Sequence, residues 1–374
     1  MQRASLEGFF STHADADDVV RIQMEPKTIY WEELRNRLGL SFDFILENLE
    51  QENLDVRFIK VAAYDAADNL LTYRYVNGNA IGPSGIDTLG ATSIPAGETI
   101  DLYNPFHEWS ADLPISRLRF TFTFRGEDSG REIYIGNVDV RPHRFIQQAA
   151  LRVPMRGLIT VLDAHDHLSH HRRFAMSRVR QVTGGAFAVN FCRFGFDLAL
   201  LGEDGNLAQM SPEEFCANHD FHHTDIRRSY TDGAPVYAPA SGVIVEAVDD
   251  LEDMYDAPFD TDRAIQEGRI RDIAGNRVII RHNEREYSHL YHFKRRGLVV
   301  STGEPVEEGQ LLGAIGFSGT ATVYSHLHYQ LMDGADFMHA QALPVRFSDV
   351  TLVRGQKQVH VARLAPETGD FLQA

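Results

Sequence analysis

Cysteine is scarce: the 374-residue chain has two, Cys192 and Cys216. They form neither a CxxC pair nor a zinc-ribbon spacing, which excludes a disulfide framework and a cysteine-based zinc module. One bridge is the most this count allows, and two separate thiols is the plainer reading. Positive charge is also short, with 36 Lys and Arg against 53 Asp and Glu and a net charge of −17. So acidic a chain is a poor match for a nucleic-acid backbone or an anionic lipid surface. No run of roughly 18 apolar residues exists, so no transmembrane helix is expected. Residues 1–18 (MQRASLEGFFSTHADADD) lack a basic stretch leading into an apolar one, so they carry no recognisable secretory signal. HExxH, the P-loop, GxGxxG after a strand and GxSxG are all missing, and the chemistries tied to them have no support.

What remains is globular, with 43% hydrophobic and 24% charged residues. At about 150 residues per domain, the length suggests two or three domains. Residues 31–50 (WEELRNRLGLSFDFILENLE) carry helix-favouring Glu and Leu, and predict a short helix within an N-terminal extension over residues 1–52. From there the pattern is β. Leu118, Phe120, Phe122 and Phe124 alternate with Arg119, Thr121, Thr123 and Arg125, the period of a strand with one buried face. Repeated short strands and turn signals predict an immunoglobulin-like β-sandwich over residues 53–146. A second β-rich domain spans residues 147–354, and residues 355–374 read as a peripheral tail. Two long loops interrupt the second domain, over residues 202–230 and 249–267. The latter is acidic but lacks the spaced ligands and glycine of an EF-hand, and reads as a solvated insertion.

The unusual count is histidine. There are 17, clustered as His165, His167, His170 and His171, then His219, His222 and His223, then His326 and His328. On a strand, His326-Leu327-His328 puts both imidazoles on one face. Upstream lie GAPVYAPASGVIV, GNRVIIRH, YSHL with His289, and GEPVEEGQLLGAIGFSG. With SHLHYQL these pieces run in order over residues 231–332.

In that order they resemble the lysostaphin/LytM-type zinc endopeptidases. RFGFDLALLGEDG and ALPVRF resemble a subgroup with a long insertion after the metal-binding aspartate. The resemblance implies a duplicated hybrid motif, an antiparallel β-sheet with a groove along it. It implies one Zn²⁺, a peptide or peptidoglycan substrate, and a setting in the cell envelope or outside the cell. Carried over, Asp197 and His328 are metal ligands, while His326 and His289 flank the metal's open position. The usual ligand histidine four residues before the aspartate is replaced by Arg193. A guanidinium stays protonated and cannot bind a cation. His171, or His170 beside it, is the first substitute, and His222 or His223 with Asp225 the second. Two functions follow: metal-assisted amide hydrolysis, in which histidine titrates near neutrality and suits proton transfer, or a catalytically degenerate fold kept for binding or regulation.

Overall fold

The alternating segment around Phe120 is the strand Arg117–Gly126. In the computed structural model, which describes residues 19–209, 226–321 and 324–374, it lies between Leu54–Tyr64 and Glu132–Val140, antiparallel to both. Phe120, Phe122 and Phe124 are fully buried. Phe44 meets the Phe120 and Phe122 rings edge-on, with centroids 4.9 and 5.0 Å away, a favourable aromatic geometry. Phe120→Ala is expected to cost about 3–5 kcal/mol of stability, read as a lower denaturant midpoint.

Residues 31–50 are not helical. They form the strands Tyr30–Glu33, Arg37–Leu40 and Asp43–Asn48. The deciding residues are Leu40, Phe42, Phe44 and Leu46, which are all buried and spaced by two. Burial of that stripe overrides the weak helical preference of Glu32, Glu33 and Leu34. Asp43–Asn48 lies between Val20–Glu25 and Thr99–Tyr103. Its side chains join the core under the Phe120 strand, so this stretch belongs to the first compact unit rather than to a separate extension. That unit ends at Arg144, and the second runs from Phe145 to Ala374 with Glu33–Arg35 counted to it.

The second unit is built on one 13-stranded sheet. Its central order is Asn276–Asn283, Glu286–Leu298, Leu327–Met332, Phe196–Leu200 and Leu158–Asp163, every neighbour antiparallel. Phe371–Gln373 continues the row beside Leu158–Asp163 and is followed by Phe347–Arg354 and Lys357–Leu364. The last twenty residues are therefore not a peripheral tail. Leu372 is fully buried, and its strand is too short to announce itself by periodicity. Among the described residues two short α-helices, Met176–Val182 and Thr261–Gln266, interrupt the sheet connections. The second lies in the acidic segment, with the Asp260 carboxylate accepting from the Arg263 amide at 2.9 Å. Among the described residues no helix is long and apolar enough to cross a membrane.

Candidate metal centre

Strand register sets the site. Tyr291 stands opposite His328, His328 opposite Asp197, and Asp197 opposite Asp163, so four residues form one row across four strands. Directly opposed residues share a face. His328 Nδ1 lies 2.9 Å from Asp197 Oδ1. His326, two residues earlier, brings Nε2 to 3.4 Å from the same oxygen. The loop after Leu158–Asp163 adds His171, whose Nε2 is 3.3 Å from Asp197 Oδ1. The ligand atoms of His171, Asp197 and His328 all lie within 4.8 Å of one another, and all three residues are buried.

The His171 loop is held by local bonds. Ser169 Oγ donates to Ala164 O at 2.7 Å and accepts from the His171 amide at 3.0 Å. Asn190 Nδ2 donates to His171 O at 2.8 Å. His171 Nδ1 donates to Ala164 O at 3.0 Å, which leaves Nε2 with its lone pair. That nitrogen is buried and has no hydrogen-bond partner. An imidazole whose far nitrogen is tied to a carbonyl, with the near one bare, is the form that binds a cation.

His328 is oriented by a longer chain. His289 Nε2 lies 2.9 Å from Gly334 O, an oxygen that only accepts, so this nitrogen carries the proton. Burial pushes the His289 pKa down to about 3, so its ring is neutral and Nδ1 accepts. Its partner, at 2.9 Å, is the Tyr291 hydroxyl, which burial keeps protonated. The Tyr291 oxygen accepts from Gln330 Nε2 at 3.2 Å. The Gln330 carbonyl oxygen therefore faces His328 Nε2 at 2.8 Å and receives its proton. What is left on His328 is the Nδ1 lone pair, aimed at a carboxylate. Two acceptors at 2.9 Å repel unless a proton or a cation lies between them. The residues present thus fit a divalent cation bound by two imidazoles and one carboxylate, the donor set of an open zinc site.

Close approach is part of the design. A Cβ on Gly195 would stand 2.9 Å from His328 Cε1, so only glycine leaves room for the ring. Burial opposes ionisation of Asp197, but the surrounding His171, His326 and His328 imidazoles hold its carboxyl well below the usual range.

His289 does not flank the cluster. Both its nitrogens are used in the chain behind His328, and it is absent from the cavity wall. His292 stands there instead. In the pairing with Asn276–Asn283, Phe293 opposes Asn276 and Tyr291 opposes Arg277, leaving His292 as an unpaired bulge residue with φ of 71°. A bulge re-aims its side chain, and the His292 ring comes to 4.9 Å from that of His326, centroid to centroid. His292 Nδ1 donates to Ser318 O at 2.8 Å, and His326 Nδ1 to Tyr324 O at 2.8 Å. Burial, with His326 and His328 close by, holds His292 well below the ordinary imidazole range. The sequence signal for His292 was the second histidine of YSHLYHF.

Arg193 is buried and stands outside the cluster. His170 is mostly exposed, pairs with Asp163 through Nδ1, and keeps Nε2 at 3.9 Å from Asp197 Oδ2. His222, His223, Asp225 and Cys216 lie outside the described residues. Both groupings of candidate ligands found among the described residues, this one and Asp163 with His170 and His171, belong to the second unit. His171, His292, His326 and His328 line a cavity of about 610 Å³.

Residues 222–340 match the model of Peptidase family M23. The match takes in His292, His326 and His328 and leaves His171 and Asp197 outside it. Peptidoglycan DD-endopeptidase ShyC of Vibrio cholerae is 34% identical over 84 residues, covering 21% of this chain and 19% of that protein. The chain thus spans about a fifth of that relative's length. A zinc-containing peptidase from Vibrio cholerae is similar at 12% identity, with 83% of each chain covered and a TM-score of 0.24. The solution structure of lysostaphin is similar at 18% identity over 38% of this chain and 69% of its own, with a TM-score of 0.20.

Proposed function

Because residues 222–340 match the model of Peptidase family M23, we propose that this chain is a zinc-dependent endopeptidase acting on peptide bonds of peptidoglycan. The observation that carries this reading is the bare, buried Nε2 of His171 beside Asp197 and His328. In this proposal His171 Nε2, the Asp197 carboxylate and His328 Nδ1 hold the metal, and His171 replaces the histidine that Arg193 displaced. Zinc bound there would supply a Lewis acid and a water acidic enough to attack an amide near neutral pH.

The chain's own residues do the rest. His292 and His326 each donate from Nδ1 to a backbone carbonyl, so each presents Nε2 as a base in the neutral form. Their place in the cavity wall beside the ligands suits them to take a proton from the attacking water and pass it to the leaving amine. His289, Tyr291 and Gln330 position His328, and of these three Tyr291 also lines the cavity. The first unit holds none of these groups and is proposed as a separate module of β-sheets.

Zinc-stripped protein should regain one equivalent of zinc and, with it, release of peptide fragments from purified peptidoglycan. A fully folded protein that binds zinc without cleaving, or binds none, would instead support the degenerate binding module.

A further inference from the structure

The His292 bulge is held from outside the metal cluster. Its carbonyl oxygen accepts from the Gly316 amide and its Nδ1 donates to Ser318 O, both at 2.8 Å. Backbone and ring thus rest on one turn, residues 316–318. Ser318 Oγ ties that turn inward, donating to Phe293 O at 2.8 Å and accepting from the Asn276 amide at 2.9 Å. Phe317, Ser318 and Asn276 are all buried. Gly275, with φ of 64°, packs against the carbonyl that holds the ring. A Cβ there would stand 2.4 Å from Ser318 O.

The outer support comes from the acidic segment over residues 249–267. Asp250, Glu252 and Asp256 are exposed, as a solvated insertion requires, but Asp253 is half-buried. Asp253 Oδ1 accepts from the Phe317 amide at 2.8 Å, and its Oδ2 from the Arg295 amide at 3.3 Å. One carboxylate therefore spans the turn and the strand three residues beyond His292. Two backbone bonds run alongside it, Met254 N to Phe317 O and Arg296 N to Asp249 O, both at 2.7 Å. Glycine at 316 permits the approach, because a Cβ there would stand 2.4 Å from Asp253 Oδ1. An ionised acceptor makes the stronger kind of hydrogen bond to an amide. Without it the Phe317 amide would have to shift to find water, carrying Ser318 O with it.

The geometry points to Asp253 as a positioning residue for His292. By fixing the turn it keeps Nδ1 of that imidazole on the Ser318 carbonyl, and so presents Nε2 to the cavity. The consequence for rate rests on the proposed hydrolysis, whereas the hold on the ring is tested without it. Asp253 is neither one of the three proposed ligands nor part of the described cavity wall. Its removal should therefore act through His292.

The test uses the zinc-loaded full chain and solubilised peptidoglycan. Asp253→Ala is expected to lower kcat by about 10- to 100-fold, with KM and zinc affinity within about twofold of the parent. Asp253→Asn keeps an oxygen for the Phe317 amide and should recover most of that loss. In a His292→Ala background Asp253→Ala should cost nothing further, whereas a purely structural role would cost rate in both backgrounds. Ring nitrogen resonances of ¹⁵N-histidine-labelled protein need no substrate. They should show His292 protonated on Nδ1 in the parent and a mixture of tautomers in Asp253→Ala, with His326 unchanged. Unaltered kcat and ring signals, an equal loss in both backgrounds, or loss of zinc would overturn the positioning role. Ring signals that change as expected, with His292→Ala cleaving as fast as the parent or with no cleavage by either, would keep the hold on His292 and remove its catalytic reading.

Discussion

His171→Ala is expected to lower zinc affinity on the order of 100-fold to 1,000-fold and peptide hydrolysis with it. A four-ligand structural zinc site releases about 10–16 kcal/mol, or about 2.5–4 kcal/mol per ligand, and each 1.4 kcal/mol is about tenfold. Apart from that, the substitution removes one ring on a loop anchored by Ser169 and Asn190, so the sheet should fold unchanged. His170→Ala is the control. Its ring is mostly exposed and its nearest approach to Asp197 is 3.9 Å. An exposed ion pair contributes about 0–1 kcal/mol, so zinc affinity should change by about fivefold at most. Titration against a chromophoric chelator measures both. If His170→Ala weakens zinc as much as His171→Ala, the metal sits instead between Asp163, His170 and His171, the second grouping of candidate ligands.

The two histidines of YSHLYHF should separate by the kind of damage each causes. His292→Ala removes a ring from the cavity wall and leaves all three proposed ligands in place. It should lower kcat by about 100-fold to 10,000-fold, the usual range for a lost general acid or base, with zinc affinity nearly unchanged. His289→Ala breaks the chain that runs through Tyr291 and Gln330 to His328. Loss of such an outer partner weakens metal binding by about 10- to 100-fold. Its kcat at saturating zinc should recover most of the parent value. His289→Gln, whose amide can still reach the Gly334 carbonyl, should restore part of the zinc affinity. The reverse pattern would return the proton-transfer role to His289.

The shared face of His326 and His328 was legible because side-chain alternation in extended chain is a rigid rule, although His326 stands one residue ahead of the strand Leu327–Met332, which lies beside Asp197. Position 193 was legible as a defect, because arginine cannot bind a cation. That His171 stands beside Asp197 and His328 was legible only as one choice among four histidines, since the turn that delivers it depends on Ser169 and Ala164 contacts that no periodicity reveals. The exchange of His292 for His289 has a sharper cause. Regular alternation puts His289 and Tyr291 on the face of His328, and a bulge with φ of 71° at His292 breaks that rule. A bulge has no signature in a single sequence. The misread helix over residues 31–50 arose because Glu and Leu favour helices locally, whereas Phe42, Phe44 and Leu46 are placed by the core they meet. The short C-terminal strand failed for the opposite reason. Three residues are too few to show a period, and the strand exists because neighbouring strands offer it unpaired backbone.

A crystal structure of the zinc-loaded protein with anomalous scattering at the zinc edge tests the centre most directly. The account predicts one ion about 2.0–2.2 Å from His171 Nε2, an Asp197 carboxylate oxygen and His328 Nδ1, with a fourth position open towards His292 and His326. An ion held without His171, or bound through His328 Nε2, would contradict it.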